Sequence, residues 1–267
     1  MPMDNPSPLA VERVRHPLQV RRLQVRGIRR IGANFLRLSL VGEALRGFVS
    51  ASFDDHIKLM LPPRPGATLS LPVPGPDGLV LPPGTERPVM RDYTPRHFDA
   101  VAGTLDIEFL LHGDGMASRW VEQARVGDEV GVGGPRGSFV VPTGFDWHLL
   151  VGDETALPAI ARRLEELPAR ANAIAVVETA DESDRRVFDS AANLRVHWVK
   201  SGDAAALARA VRALALPPGE GFAWAAGEAA SMVAVRQALL HDHGLDKSRV
   251  RASAYWKRGS PGHHETL

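Results

Sequence analysis

A cation, an aromatic ring and a hydroxyl alternate in RDYTPR, Arg91 to Arg96, directly after a long proline-rich segment. In an extended chain Arg91, Tyr93 and Pro95 share one face and Asp92, Thr94 and Arg96 the other, although a twisted strand end can still turn several of them toward one ligand. An arginine for an anion, a tyrosine against a flat ring and a hydroxyl at the ring's edge together describe a flavin nucleotide. The same residues also suit a barrel strand with a packed tyrosine and solvated arginines, so the rest of the chain has to decide.

Three further stretches carry groups that could meet a nucleotide. In HGDGMASRW, His112 to Trp120, a strand gives way through two glycines to a short helix with Ala117, Trp120, Val121 and Ala124 on one side. The N–H groups at such a helix start, the helix dipole and the Ser118 hydroxyl suit a phosphate, but Gly or Ser there is also ordinary capping. VGDETALPAI, Val151 to Ile160, is a strand-to-helix turn of the kind at which open parallel sheets bind nucleotides. It lacks GxGxxG, and Asp153, Glu154 and Thr155 serve equally well as an acidic N-cap. AWAAGEAAS offers a second such turn at Gly227 and Glu228. The C-terminal AYWKRG sets Trp256 beside Lys257 and Arg258, either as a packed aromatic with a solvated basic end or as part of a pocket.

Two kinds of scaffold must hold these groups. LQVRRLQVRG from Leu18, FLRLSL with Leu36, Leu38 and Leu40 in alternation, DDHIKLML, GTLDIEFLLHG and GDEVGVGGPRGSFV read as strands of half-buried antiparallel sheet. With one short helix among them, they predict a small Greek-key β-barrel. From Pro62 to Pro88 proline and glycine crowd the chain into a long surface loop or a short flap, and the basic run RRLQVRGIRR reads as the solvated face of a strand. After Pro142 the rhythm changes. WHLLVGD, NAIAVVET, LRVHWVKS, GFAWAAGE and SRVRASAYW alternate with helical stretches, the pattern of a parallel, helix-covered sheet. One helix carries Leu157, Ile160, Ala161, Leu164 and Leu167 as an apolar stripe with Pro158 in its first turn. Another runs from about Ala229 to His243 and stops at Gly244. The expected division is a tail over 1–17, a β-barrel domain over 18–143, a nucleotide-binding α/β domain over 144–259 and a tail over 260–267.

Composition sets the outer bounds. At 267 residues with 44% hydrophobic and 24% charged residues, the chain suits two soluble globular domains. It has no cysteine, so disulfides, thiolate nucleophiles and Fe–S ligation are excluded and redox chemistry needs a bound cofactor. With 32 basic against 31 acidic residues it lacks the field of a general nucleic-acid binder. No apolar run approaches the roughly 20 residues of a spanning helix, and the first residues lack the apolar core of a signal peptide. A cytoplasmic protein without membrane insertion is expected. His241 and His243 are two apart near a helix end and do not share a face, and His263 and His264 lie in a polar tail, so no metal site is expected.

Taken together, RDYTPR, HGDGMASRW, GPRGSF, DETALPAI, AGE and YWKRG, in this order and spacing, resemble the siderophore-interacting proteins, a branch of the ferredoxin–NADP reductase-like superfamily. The resemblance covers the chain from about Val20 to Gly259. Met116 departs from it, standing where the family has proline in HGxxGPAxxW; because the phosphate cradle uses backbone and Ser118, methionine is tolerable there. The resemblance implies that the barrel domain binds FAD and the α/β domain NAD(P)H. Arg91 would hold the FAD diphosphate, Tyr93 pack on the isoalloxazine ring and Thr94 hydrogen-bond near flavin N5, with Tyr93 and Thr94 closest to the chemistry. His112, Gly113, Gly115, Ala117 and Ser118 would complete the flavin phosphate site. Asp153, Glu154, Thr155, Ala156, Gly227 and Glu228 would line the nicotinamide groove, with Trp256 among the cofactor-binding residues. Lys58, Arg136 and one of Lys257 or Arg258 match the basic positions that receive an anionic substrate.

The implied activity is a flavin-dependent ferric-siderophore reductase that passes electrons from NADPH or NADH through FAD and releases iron as Fe(II), acting as a monomer. Its rivals are a general NAD(P)H:flavin or quinone reductase, a reductase for a protein partner, and a non-catalytic flavin or siderophore binding module. Arg185 and Arg186 offer partners for a 2′-phosphate while the acidic residues before them favour NADH, so the donor is open.

Overall fold

The computed structural model describes residues 9–75, 78–112, 115–260 and 265–267. The chain divides into one compact unit over Glu12–Val140 and another formed by Val141–Leu267 with the segment ending at Val11.

The Glu12–Val140 unit runs β1 (Glu12–Arg15), β2 (Val20–Arg30), β3 (Phe35–Val41), β4 (Ile57–Leu61), β5 (Val73–Gly75), β6 (Gly78–Val80), β7 (Val89–Tyr93), β8 (His97–Asp99), β9 (Thr104–Leu110), α1 (Met116–Gln123), β10 (Glu129–Gly133) and β11 (Gly137–Val140). Seven of these strands form one sheet in the order β7-β4-β10-β2-β3-β9-β8, antiparallel at every pairing. The period-two pattern puts Leu23, Val25, Leu38, Leu40, Ile57, Leu59, Leu105, Ile107 and Phe109 into a common core.

The edges of that sheet are β7 and β8, yet only Thr94, Pro95 and Arg96 separate them in sequence. Seven flat strands would hold their edges about 29 Å apart. Four residue steps, Tyr93 to His97, reach at most about 14 Å. The sheet therefore has to curl into a nearly closed barrel, and RDYTPR is the strap across its seam, with Thr94, Pro95 and Arg96 all buried. The barrel expected from the sequence is present, with its seam joined by the chain itself.

Three differences from the sequence reading have physical causes. Residues 12–15, within the expected N-terminal tail, form β1 because they pair with β11. The proline-rich segment carries the β5–β6 hairpin, and it is pinned to the sheet where Leu71 lies over Gly131, a position at which an added Cβ would meet Leu71 Cδ2 at 2.2 Å. Arg21, assigned to a solvated face, is buried: it shares parity with Leu23 and Val25, and its guanidinium donates to the carbonyls of Ala44 and Gly134 at 3.0 Å and to Gln19 Oε1 at 2.6 Å.

The second unit runs β12 (Trp147–Gly152), α2 (Leu157–Glu166), β13 (Asn172–Thr179), β14 (Asn193–Lys200), α3 (Ala206–Arg212), β15 (Gly221–Glu228), α4 (Ala229–Gln237), β16 (Val250–Trp256) and β17 (Glu265–Thr266). Its sheet has the order β14-β13-β12-β15-β16-β17, parallel throughout except for β17. Strand order reverses between β12 and β15, which makes the carboxyl ends of these two strands the switch point where such sheets take a nucleotide. Leu149, Val151, Ile174, Val176, Ala223 and Ala225 pack with Leu207, Val211, Met232 and Val235 of α3 and α4. The last helix is interrupted earlier than its pattern suggests: α4 ends at Gln237 and a π-turn over Ala238–Asp242 leads to Gly244 at φ 66°. In the expected C-terminal tail, Glu265 and Thr266 pair with β16, while His263 and His264 lie outside the described residues. Among the described residues no helix is long and apolar enough to cross a membrane.

Two buried basic residues, one charged and one neutral, fix the start of this unit. Arg163 of α2 donates to the Pro142 carbonyl at 2.8 Å, and His148 of β12 lies 3.4 Å from the Thr143 carbonyl. Burial, with Arg163 close by, pushes the His148 imidazole down to about 4, whereas burial lowers Arg163 only to about 10, so at neutral pH His148 is neutral beside a charged arginine. Because the unfolded chain takes up the His148 proton first, stability is full above about pH 6.5 and falls as the pH drops toward 4, by about 3 kcal/mol in all. Melting temperature measured from pH 7 to 4 should drop more steeply in the wild type than in His148→Gln; parallel curves would show that His148 titrates normally in the folded state.

Candidate functional site

The ligand-facing end of the barrel is built from the strap outward. Tyr93 closes β7 opposite Ile57, and its ring lies 4.4 Å from that of Phe109 at a 42° tilt. Burial pushes its phenol well above the ordinary range, against the pull of Arg91, so Tyr93 offers a neutral aromatic face with a hydroxyl. Arg91 is partly buried and donates through Nη1 to the Met90 carbonyl at 2.8 Å, which occupies one of its five N–H groups. Thr94 is buried in the strap. Arg96 turns the other way: its backbone N–H donates to Asp106 at 2.9 Å, and its guanidinium lies 3.4 Å from Glu108 Oε1, which also receives Arg37 Nη2 at 2.5 Å. Arg96 therefore anchors the strap to β9.

Helix α1 packs on β7 and β9. Its N-cap is Gly115, no side chain caps it, and the Arg119 N–H to Gly115 carbonyl bond of 2.9 Å starts the helix. Among the described residues no side chain caps the first-turn N–H groups, with Ala117 and Ser118 buried beside them and the Ser118 hydroxyl accepting from the His112 N–H at 3.4 Å. His112 is exposed, and so is Met116, which keeps the methionine out of the cradle. Gly113 lies outside the described residues. A helix that starts at a glycine with a hydroxyl in its first turn, packed on a strand that ends in an arginine and an aromatic face, is a donor set that fits a flavin dinucleotide.

The same unit brings two of the expected basic positions to one end of the sheet. Lys58 of β4 pairs in register with Gly133 of β10, and Arg136 lies in the turn that follows, exposed. Lys58 also stands opposite Asp92 of β7, with Nζ 2.7 Å from Asp92 Oδ2.

In the α/β unit, Asp153 is the hub of the switch point. Its Oδ1 accepts from the Thr155 N–H at 2.9 Å and hydroxyl at 2.5 Å, and its Oδ2 from the Glu228 N–H and Trp256 Nε1, both at 2.8 Å. One carboxylate thereby ties the ends of β12, β15 and β16. Burial raises its pKa while these four bonds pull it back. Gly227 has to be glycine for this: its φ is +154°, and a Cβ would sit 2.6 Å from Asp153 Oδ2. Glu228 is committed as well, capping α4 through the N–H groups of Ala230 and Ser231. Glu154 reaches β13, where its Oε1 accepts from the Thr179 hydroxyl at 2.9 Å and the Ala180 N–H at 2.7 Å. Of the residues placed here from sequence, Asp153, Glu154 and Glu228 make the frame, Thr155 and buried Ala156 lie in the turn, and Trp256 is held by its indole N–H. Lys257 and Arg258 follow it, exposed, with the Arg258 N–H 3.4 Å from Glu228 Oε1.

Sequence reasoning missed Glu178, at the end of β13, whose carboxyl is pushed up by burial and by the carboxylates of Asp153, Glu154 and Asp203, against a bond from Ser201. Its signal was an acid closing a predicted strand, the position that reads a ribose in such sheets. It also missed Asp92 as the partner of Lys58, because no local pattern specifies the β4–β7 register.

Comparison with known proteins agrees with this geometry. Residues 24–139 match the family described as siderophore-interacting FAD-binding domain, and residues 145–259 the one described as siderophore-interacting protein. The NADPH-dependent ferric-chelate reductase of Escherichia coli (strain K12) is 38% identical over 94% of this chain and 98% of that one. The ferric vibriobactin reductase ViuB of Vibrio cholerae is 33% identical over 86% of each. A crystal structure of a siderophore utilization protein from T. fusca is similar at a TM-score of 0.85 and 36% identity, covering 95% of this chain and 98% of that one.

The Asp153 hub makes a direct prediction. In Asp153→Asn the amide can accept from one side only, so on the other an NH₂ faces two N–H or O–H donors, at about 1–3 kcal/mol for each unmet group. The melting temperature should fall by about 5–10 °C and tryptophan emission should change as Trp256 loses its partner. Unaltered melting and emission would mean that the hub bears no strain of this kind.

Proposed function

The chain belongs to the siderophore-interacting protein family, and from that premise we propose that it is a flavoenzyme that passes electrons from NADPH or NADH through FAD to a ferric siderophore and releases the iron as Fe(II). The observation that carries the reading is the packing of α1, which begins at Gly115 with Ala117 and Ser118 buried in its first turn, against β7, which ends in Arg91 and Tyr93 at the seam of the barrel. FAD, when bound, supplies the exchange between a two-electron donor and a one-electron metal.

The chain's own part is binding and orientation. Arg91 and the first turn of α1, with Ser118, hold the diphosphate; Tyr93 stacks on the ring; the Thr94 hydroxyl lies at the ring's edge. Asp153 keeps the ends of β12, β15 and β16 in register so that the Thr155–Ala156 turn and Trp256 can border the nicotinamide nucleotide. The E. coli relative's name favours NADPH, for which Arg185 and Arg186 are the available partners of a 2′-phosphate. Lys58 and Arg136, both in the Glu12–Val140 unit, receive the anionic ferric chelate. Iron is freed because ferrous ion is held more weakly by hard oxygen donors. We place the reaction in the cytoplasm, where a cysteine-free chain and a nicotinamide donor both fit, and assign the enzyme as a monomer in which each unit has a core of its own.

Anaerobic absorbance spectroscopy tests the proposal. The purified protein loaded with FAD should bleach with NADPH or NADH, and a ferric tris-catecholate should restore the oxidised spectrum. Turnover that needs added free flavin and ignores the chelate would make it a general flavin reductase, and a bound flavin that neither nucleotide bleaches would make it a binding module. Arg91→Ala should weaken FAD about 10- to 100-fold, the loss expected for a charge-assisted bond to phosphate, measured by flavin fluorescence titration.

A further inference from the structure

We propose that Asp92 is a positioning residue that sets specificity for the chelate: it neutralises Lys58 in the resting site and limits how tightly an anionic chelate is held. The inference rests on the reading of Lys58 as a chelate-binding cation.

Asp92 and Lys58 are cross-strand partners in β7 and β4, with 2.7 Å between Oδ2 and Nζ. Their exposures differ: the Lys58 side chain is 51% exposed and that of Asp92 18%. An anion arriving from solvent therefore meets the ammonium first, with the carboxylate behind it. Asp92 is also poorly provided for otherwise. A carboxylate can accept about four hydrogen bonds, yet its Oδ1 is buried with no hydrogen-bond partner among the described residues. Among the described residues, that oxygen offers no second bond to compensate when another anion draws Lys58 away.

Two consequences follow from Coulomb's law. A trianionic chelate feels the ammonium partly cancelled by the carboxylate close behind it, so the pair attracts it less than a lone lysine would. One-electron reduction then adds a unit of negative charge to the chelate while the protein's charge is unchanged. A lone lysine would hold this product more tightly than the substrate; Asp92 reduces that retention. Conversely, removing Lys58 alone leaves Asp92 facing the chelate uncompensated, so the damage exceeds the loss of one cation.

The test uses FAD-loaded wild type, Lys58→Ala, Asp92→Asn, Asp92→Glu and the Lys58→Ala/Asp92→Asn double variant, with flavin content per chain measured for each. KM and kcat are determined with a ferric tris-catecholate trianion and with a neutral ferric tris-hydroxamate, and the readout is the ratio of the two KM values. Lys58→Ala should raise this ratio about tenfold. Asp92→Asn should lower it about threefold to tenfold, the double variant should return to within about threefold of wild type, and Asp92→Glu should keep the wild-type ratio. If Lys58→Ala raises the ratio but Asp92→Asn leaves it unchanged, or the double variant is as poor as Lys58→Ala, the role of Asp92 is overturned and that of Lys58 stands. An unchanged ratio in Lys58→Ala removes both.

Discussion

Thr94, Pro95 and Arg96 have to bridge the two edges of a seven-stranded sheet, and whatever fixes that span also fixes the groups on either side of it. The fixing is ionic. Glu108 is buried on β9 between Arg96 of the strap and Arg37 of β3, an arrangement in which losing one partner leaves an uncompensated charge at a cost of about 3–5 kcal/mol. A buried ion group of this kind adds little net stability over an apolar one. What it adds is position: the strap can lie in one way only, and Tyr93 and Arg91 leave it in fixed directions. The aromatic face of Tyr93 and the guanidinium of Arg91 are thus set by barrel closure rather than by a flexible loop.

The α/β unit solves the same problem with one acid. Parallel strands end without hairpins to tie them, so their carboxyl ends have only side chains to hold them together. Asp153 gathers donors from the turn after β12, from the start of α4 and from the end of β16, and Glu154 adds β13. The carboxylates of Asp153, Glu154 and Glu228 are therefore largely taken up by the frame itself.

Most of this architecture was legible from local patterns. Alternation in FLRLSL and TLDIEFL gave the barrel strands, the apolar stripe from Leu157 to Leu164 gave α2, and the change of rhythm after Pro142 gave the parallel sheet. Arg91, Tyr93 and Thr94, proposed for the flavin, stood out because their types are unusual together. What escaped depended on register or on contacts far apart in sequence. Lys58 and Asp92 are 34 residues apart, and Trp256 meets Asp153 across 103, separations at which no periodicity carries information. Arg21 was a different failure: its parity with Leu23 and Val25 placed it inside, and its charge argued the other way, but backbone carbonyls and Gln19 were there to receive it.

The proline-rich segment between β4 and β7 has an effect of another kind. These two strands are hydrogen-bonded neighbours, so everything between them is a detour that begins and ends on the same part of the sheet. Leu69 and Leu71 fasten its first part to the barrel, and the β5–β6 hairpin beyond carries exposed Val73, Leu79 and Val80. Since the entropy of closing a loop grows only slowly with its length, residues can be gained or lost in that hairpin at almost no thermodynamic penalty. Descendants of this chain are free to vary there in length and composition while the seam, the cradle and the register of the sheet stay as they are.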